Sequence, residues 1–175
     1  MTDGQLIRRI QAGDAGSFQV LIEKYYDEVF GFCCYRTGDR EAAYDCTQET
    51  FLKVTKYIWN YQEQNKFKGY LFSIARNVCN DYFRGKHPEY PSDDGMENVA
   101  DQKDFTGNSE TAWVLQEALH KLPPFQREVI VLKYYHGFKI KEIADQLSIP
   151  MATAKSRLRQ GMIKLKGILE QGGSL

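Results

Sequence analysis

A chain of 175 residues, 42% hydrophobic and 26% charged, is long enough for one ordinary domain or two small ones, and its composition excludes wholesale disorder. No apolar run approaches the roughly 20 residues of a membrane span, and the opening MTDGQLIRRI lacks the charged-then-apolar layout of a secretory signal. The expectation is therefore a cytoplasmic protein that is not itself a membrane protein. Lys plus Arg and Asp plus Glu both number 23, so the formal charge is zero and gives no hint of a nucleic-acid partner until it is followed along the chain.

Phe18, Leu21, Ile22 and Tyr25 form an apolar stripe after Gly13-Asp14, continued by Val29, Phe32 and Cys33; this predicts a helix pair or one bent helix. A second helix is expected over Glu41–Trp59, burying Ala43, Cys46, Phe51, Val54 and Ile58. A third is expected over Gly69–Arg84, with Leu71, Ile74, Ala75, Val78 and Tyr82 on one face. Residues 87 to 110, HPEYPSDDGMENVADQKDFTGNSE, combine Pro, Gly, Ser, Asn and Asp without periodicity and read as a flexible linker. Beyond it, Ala112, Leu115, Leu119 and Leu122 share a helical face that Pro123-Pro124 stops, and Pro124 can start the next helix, which carries Val129, Ile130, Leu132 and Tyr135 and ends near Gly137. Almost nowhere do apolar residues alternate as strands would. The fold class is all-α: two small helical domains, 1–86 and 111–175, joined by the linker at 87–110.

The charge separates along the same lines. Lys66, Lys68, Arg76, Arg84 and Lys86 outweigh Asp81 in the first basic stretch; Glu89, Asp93, Asp94, Glu97, Asp101, Asp104 and Glu110 outweigh Lys103 in the linker. Lys139, Lys141, Lys155, Arg157, Arg159, Lys164 and Lys166 then outweigh Glu142 and Asp145. Two basic segments flank an acidic one and are two candidate DNA-facing surfaces. Cys33, Cys34, Cys46 and Cys79 show no CxxC pairing and no partnered histidine at zinc-ligand spacing, so they read as reduced core residues. No metal, cofactor or catalytic residue is expected.

The most informative segment is at the C-terminal end. A short helix over Ile140–Leu147, with Ile143, Ala144 and Leu147 inward, is broken by Ser148-Ile149-Pro150 and followed by a helix from about Ala152 to Lys166. On that second helix Ala154, Leu158, Met162 and Leu165 form the inner side. Ala152, Thr153, Ser156, Arg159 and Gln160 lie opposite, flanked by Lys155 and Arg157. Short helix, tight turn and basic helix make a helix-turn-helix, in which one helix enters the major groove and cationic neighbours hold phosphates. A solvated basic helix would share the pattern, so support must come from elsewhere in the chain.

That support is the whole segment LPPFQREVIVLKYYHGFKIKEIADQLSIPMATAKSRLRQGMIKLK, residues 122 to 166, which resembles region four of sigma factors, the reader of the minus-thirty-five promoter element. DCTQETFLKV, residues 45 to 54, and FKGYLFSIARNVCNDYFR, residues 67 to 84, resemble region two. Two matches in this order, with only a linker between them, are similar to the extracytoplasmic-function group of the sigma-70 family and cover almost the whole chain. The resemblance implies a sigma factor that brings bacterial core RNA polymerase to promoter DNA and helps open it, regulated by an anti-sigma factor that is often membrane-anchored.

It also implies roles. Asp45, Gln48 and Glu49 would dock on the coiled coil of the largest polymerase subunit; Asp45 and Glu49, four apart, share a face and can accept from arginines. The loop Glu63–Lys68, with Lys66, corresponds to the pocket for a flipped base of the minus-ten element. Tyr70 and Asn77 correspond to residues that wedge the upstream edge of the bubble, and Lys68, Arg76 and Arg84 are expected on phosphates. Where Tyr70 stands the family usually has tryptophan; a phenol stacks with less area. In region four the base readers would be Lys155, Ser156, Arg159 and Gln160, with Thr153 and Arg157 on the backbone. Here the chain departs from the family: arginine is displaced to Arg159 and Gln160 occupies the usual arginine site, which predicts an altered or relaxed preference, since arginine suits guanine and glutamine adenine. Lys139 stands where a serine or threonine cap is usual, which weakens that helix start.

Two rivals from other classes remain open on sequence. A stand-alone repressor or activator would use the same helix-turn-helix but usually needs a ligand-binding or dimerisation domain, and residues 1–86 do not resemble one. An enzyme would need clustered chemistry, whereas His87, His120 and His136 are scattered, read as surface or linker residues, and accompany no phosphate loop or nucleophile elbow.

Overall fold

The structure is a computed structural model that describes residues 1–64, 66–86 and 110–172. The chain divides into two compact units, Met1–Lys103 and Asp104–Leu175, and among the described residues every regular element is helical. The linker expected over 87–110 lies outside the described residues except for Glu110, which starts a helix.

Four helices build the first unit. Helix α1, Asp3–Gln11, is started by Thr2, whose hydroxyl accepts from Gln5 N while the Gln5 amide oxygen accepts from Thr2 N, so both exposed donors of the first turn are satisfied. Its buried face is Leu6, Ile7 and Ile10. The apolar stripe read from the sequence begins only at Phe18, so this helix adds to the expected set. Helix α2, Ala15–Thr37, is one continuous helix rather than a pair; Asp14 caps it by accepting from Ser17 N and Ser17 Oγ, and Gly38 ends it in the left-handed region at φ 73°. Asp39 caps helix α3, Arg40–Tyr57, which tightens into a 3-10 turn over Ile58–Asn60. Helix α4, Phe67–Lys86, starts two residues before the sequence suggested.

The core between these helices is aromatic and tightly closed. Phe32 and Phe72 meet edge to face at 5.3 Å between ring centres, and both are fully buried with Phe67, Leu71, Val54 and Ile58. All five residues expected to be buried on α3 are buried. On α4, Leu71, Ala75 and Val78 are buried, whereas Ile74 and Tyr82 are half-buried. The four cysteines are buried thiols. Cys79 of α4 hydrogen-bonds with Cys33 of α2 and Cys46 of α3; these bonds and burial raise the Cys79 pKa, and the bond from Cys79 lowers that of Cys46.

The second unit opens with α5, Glu110–His120, and α6, Pro124–Ile130, with proline at the first helical position. A π turn, Val131–Tyr135, follows, closed by His136 N donating to Val131 O at 3.1 Å, and Gly137 then turns the chain at φ 71°. Helix α7, Ile140–Leu147, lacks a side-chain cap at Lys139, as its ammonium has no acceptor to offer; Glu142 compensates in part by accepting from Lys139 N at 2.7 Å. Ser148 sits in the left-handed region at φ 53°, and α8 runs Met151–Gly172, several residues longer than expected. Ala118, Leu122, Ile130 and Leu165 form a core cluster, with Leu119, Leu158, Ile168 and Leu169 packed against it.

Three expectations fail in this unit. His136 is not a surface residue but 2% exposed, while its neighbour Tyr135 is exposed. The phase explains both: His136 stands seven residues after Val129 and four after Leu132, on their face, and Tyr135 is one short of it. On α8 the inner row is Ala154, Leu158, Gly161 and Leu165, and Met162 is exposed. A Cβ on Gly161 would lie 2.9 Å from Ile130 Cδ1 and 3.2 Å from Gln126 Cβ, so α6 occupies the space that a side chain would have signalled in the sequence. Leu115 is likewise exposed, and Ala118 takes the inward place on α5.

Candidate nucleic-acid and polymerase interfaces

In the first unit α3 is polarised. Its exposed acids Glu41, Asp45 and Glu49 lie in the first ten residues and its lysines, Lys53 and Lys56, in the last turns, an arrangement that also complements the helix dipole. Asp45, Gln48 and Glu49 are all exposed and lie on one face, joined by Leu52 seven residues after Asp45 and 64% exposed. Acceptors around a bare leucine, with Tyr44 beside them, suit a partner helix that brings arginines and an apolar ridge. Leu52 and Tyr44 were not singled out in the sequence; an apolar residue in phase with the acidic face was the available signal.

The loop between α3 and α4 is held from behind by α1. Gln11 Nε2 donates to the carbonyls of Ile58 and Tyr61, each at 2.8 Å, and Gly4 leaves room for Glu63, whose Cγ would lie 3.1 Å from a Cβ there. Asn65 lies outside the described residues, and Lys66 is exposed. Tyr70 lies against Tyr61 at 4.6 Å between ring centres with the rings tilted by 34°, and both lean on buried Phe67. Burial pushes the Tyr61 hydroxyl up to about 12 and raises that of Tyr70 as well, so both remain neutral phenols. Tyr70, Asn77 and Arg84 recur at seven-residue intervals along α4 and share a face. Arg76 is about a third of a turn away and half-buried, so it does not join them. Three cations near this face are met by carboxylates: Lys68 Nζ lies 2.7 Å from Glu28 and over the Phe72 ring, Arg84 lies 3.2 Å from Asp81, and Lys53 is 3.6 Å from the same aspartate.

In the second unit the turn Ser148–Pro150 sets α8 against α7. Ile149 N donates to Ala144 O, closing the end of α7, and Ala154 N donates to Pro150 O, opening α8. Lys155, Arg159 and Gln160 are exposed, and Thr153, Ser156 and Arg157 are half-buried beside them. Arg157 lies over the Phe125 ring at 5.3 Å, a cation–π contact that fixes the guanidinium at the edge of α6 and that the sequence did not reveal, since the two residues are 32 positions apart. Among the described residues no carboxylate pairs with Lys155, Arg157 or Arg159. All six residues expected on the minus-thirty-five element lie on this helix, and among the described residues its three cations there lack a carboxylate partner, the arrangement that phosphate binding rewards.

Among the described residues no helix is long and apolar enough to cross a membrane, and no three His, Cys, Asp or Glu side chains are grouped to hold a metal ion. The family described as Sigma-70 region 2 matches residues 21–88, and Sigma-70, region 4 matches 113–165. The chain is 31% identical over 173 residues to the ECF RNA polymerase sigma factor SigW of Bacillus subtilis (strain 168), covering 91% of this chain and 92% of that one. It is 26% identical to the ECF RNA polymerase sigma-E factor of Haemophilus influenzae, covering 90% of each. In fold it is similar to CnrH, solved with the cytosolic domain of CnrY, at a TM-score of 0.69 and 20% identity over 97% of both chains. It is also similar to the Bartonella quintana sigma factor RpoE, solved with the anti-sigma factor NepR, at a TM-score of 0.70 and 24% identity over 87% of this chain and 96% of that one.

Proposed function

This chain belongs to the sigma-70 family as an extracytoplasmic-function sigma factor, which directs RNA polymerase to promoters for the initiation of transcription, and we propose that its two units divide that work. Residues 1–86 act as the region-two domain and 111–175 as the region-four domain, with 87–110 as the tether between them. The exposed face of Asp45, Gln48 and Glu49 docks on core polymerase, and its match of acceptors with an exposed leucine supports this. Tyr70 and Asn77, with Arg84 behind them on α4, meet the minus-ten element as it opens, Lys66 and Lys68 following the strand and Arg76 serving from the neighbouring face. Lys155, Ser156, Arg159 and Gln160 read base edges in the minus-thirty-five major groove while Thr153 and Arg157 hold phosphates. The single observation that carries this division is the bare cationic face of α8 behind a helix-turn-helix turn.

The working location is the cytoplasm, where polymerase and promoters are. An anti-sigma factor is proposed as the regulating partner, with a membrane-anchored one the expected kind; its support is that a sigma factor of the same fold was solved with the anti-sigma factor NepR, and CnrH, also of this fold, with the cytosolic domain of CnrY. Action lies in binding, and the chemistry of RNA synthesis stays with the polymerase.

The test is to mix the purified chain with its cognate core polymerase and transcribe a promoter library. Co-elution with core and selective initiation are expected, and the selected promoters give the two elements. Binding to duplex DNA alone, without core, would instead indicate a stand-alone regulator.

A further inference from the structure

The loop from α3 to α4 is tied to α1 at its entry, its middle and its exit, and none of the roles above uses these ties. At the entry, the carbonyls of Ile58 and Tyr61 stand past the end of α3, where a helix leaves carbonyls without intrahelical donors. Half-buried Gln11 serves both with one amide nitrogen, at 2.8 Å each. Carbonyls only accept, so the Gln11 amide has a single workable orientation and both its protons are used. In the middle, Gly4 leaves room for Glu63, whose Cγ would lie 3.1 Å from a Cβ there. At the exit, buried Phe67 leans on the Tyr25 ring at 5.9 Å, and the Tyr25 hydroxyl donates to Asp3 of α1 at 2.6 Å. Lys24 donates to the other oxygen of that carboxylate at 2.6 Å, which fixes α1 on α2.

The loop needs such support because it has little of its own. Gln62, Gln64 and Lys66 are exposed, so apolar burial within the loop does not set its shape. A pocket that takes up one base discriminates by geometry, and its groups must be held to within about 0.5 Å to do so. The region-two family matches residues 21–88, so α1 lies ahead of the matched segment and the clamp is a feature of this chain's own opening residues.

We propose that α1 is the frame that sets the base preference of this loop, with Gln11 as its positioning residue. Gln11 touches no DNA and acts through the carbonyls of Ile58 and Tyr61. The inference rests on the reading of Glu63–Lys68 as the pocket for a flipped base of the minus-ten element. A clamp that only stabilised the unit would, when removed, lower initiation on every promoter alike. A positioning residue changes which base is preferred at one position.

The test uses holoenzyme reconstituted from cognate core, selecting from a promoter library randomised over the minus-ten element. Gln11→Met keeps the length of the side chain and removes both donors. It is expected to reduce discrimination at one minus-ten position by about 10-fold, the order of one or two net hydrogen bonds. Preference at the other minus-ten positions and in the minus-thirty-five element, and affinity for core, are expected to match the parent. Tyr25→Phe keeps the ring against Phe67 and loses only the bond to Asp3, so it should relax the same position by less, about 3-fold. If circular dichroism shows Gln11→Met to be unfolded, Tyr25→Phe decides alone. Parental base preference in the deciding variant would overturn the proposal, as would a loss of initiation equal on every promoter or a parallel loss of core binding. Gln64→Ala combined with Lys66→Ala, in the loop itself, is run alongside. If only that pair alters the preference, the inference about α1 has failed and the reading of the loop stands; if no variant alters it, that reading has failed too.

Discussion

The two units treat positive charge in opposite ways. In the first, Lys68 is held by Glu28, Arg84 and Lys53 share Asp81, and the surface assigned to opened DNA is built from stacked phenols over a large aromatic core. In the second, Lys155, Arg157 and Arg159 stand on α8 without a carboxylate partner among the described residues, and the core beneath them is small and includes the buried polar groups Gln126, Arg127, Glu128 and His136. The difference follows from what each unit meets. Duplex DNA presents a dense array of phosphates before any base can be read, so bare cations give affinity there. A separated strand offers base faces instead, and aromatic surface captures them with little help from net charge.

This contrast breaks most directly on salt. Lys155→Ala combined with Arg159→Ala is expected to weaken binding of a minus-thirty-five duplex by holoenzyme about 100-fold or more, each base or phosphate contact being worth about 1–3 kcal/mol. Arg157→Ala, which removes a phosphate contact, should lower the slope of log affinity against log salt by about 0.9. Tyr70→Ala should slow opening with that slope unchanged. If Tyr70→Ala altered the slope as much as Arg157→Ala did, the division between charge and stacking would be wrong. Gln160→Arg sharpens the same point within α8: a shift from adenine toward guanine at one position, about 10-fold, is expected in promoter selection, and an unchanged base preference would remove Gln160 from the readers.

A second prediction concerns the support of the reading helix. Gly161 lets α8 approach α6 where a Cβ would meet Ile130 and Gln126. Gly161→Leu should therefore cost about 1–3 kcal/mol through overpacking, visible as an earlier thermal transition of the second unit with the first unaffected. Glu28→Gln tests the opposite unit with a smaller effect. Releasing Lys68 from its 2.7 Å pair removes an interaction worth about 0.2–1 kcal/mol at this exposure, and should raise non-specific DNA affinity at low salt by about twofold. No change at low salt would mean that Lys68 does not reach the strand.

Much of this organisation was legible in the sequence because periodicity and charge segregation are local. The helices around Cys46 and Val78, the all-α class and the turn at Ser148–Pro150 follow from spacing within a window of a few turns. The buried thiols were also foreseeable, since Cys33, Cys46 and Cys79 each lie in phase with an apolar row. What could not be read depends on residues far apart in the chain or on residues without a side-chain signal. Gln11 clamps Ile58 and Tyr61 from nearly 50 positions away, Phe125 lies under Arg157, and Gly161 is inward because a neighbouring helix fills its place. His136 was missed for a different reason: residue type was weighed above phase, although its spacing from Val129 and Leu132 already pointed inward. Helix α1 was missed because nine residues with a polar start resemble a frayed terminus until the Thr2–Gln5 box is recognised.

The smallest expected effect lies at the joint between α5 and α6. Arg127 Nη1 lies 3.3 Å from His120 Nδ1, and since a guanidinium has only donors, Nδ1 must accept and the ring is neutral with its proton on Nε2. Burial first, and then the Arg127 charge, lower the His120 pKa from 6.5. The folded ring thus resists a proton that the unfolded ring accepts near 6.5. Its contribution to stability is complete above that pH and is lost as pH falls from 6.5 toward the lower folded value. With Trp59→Phe, leaving Trp113 of α5 to report the second unit, and Trp113→Phe, leaving Trp59 to report the first, fluorescence melts of the full chain should show the second unit losing a few degrees more between pH 7.5 and 5.5 than the first unit. His120→Gln, an acceptor that does not titrate, should flatten that difference. If the acid sensitivity persisted unchanged in His120→Gln, the His120 ring would not be its source.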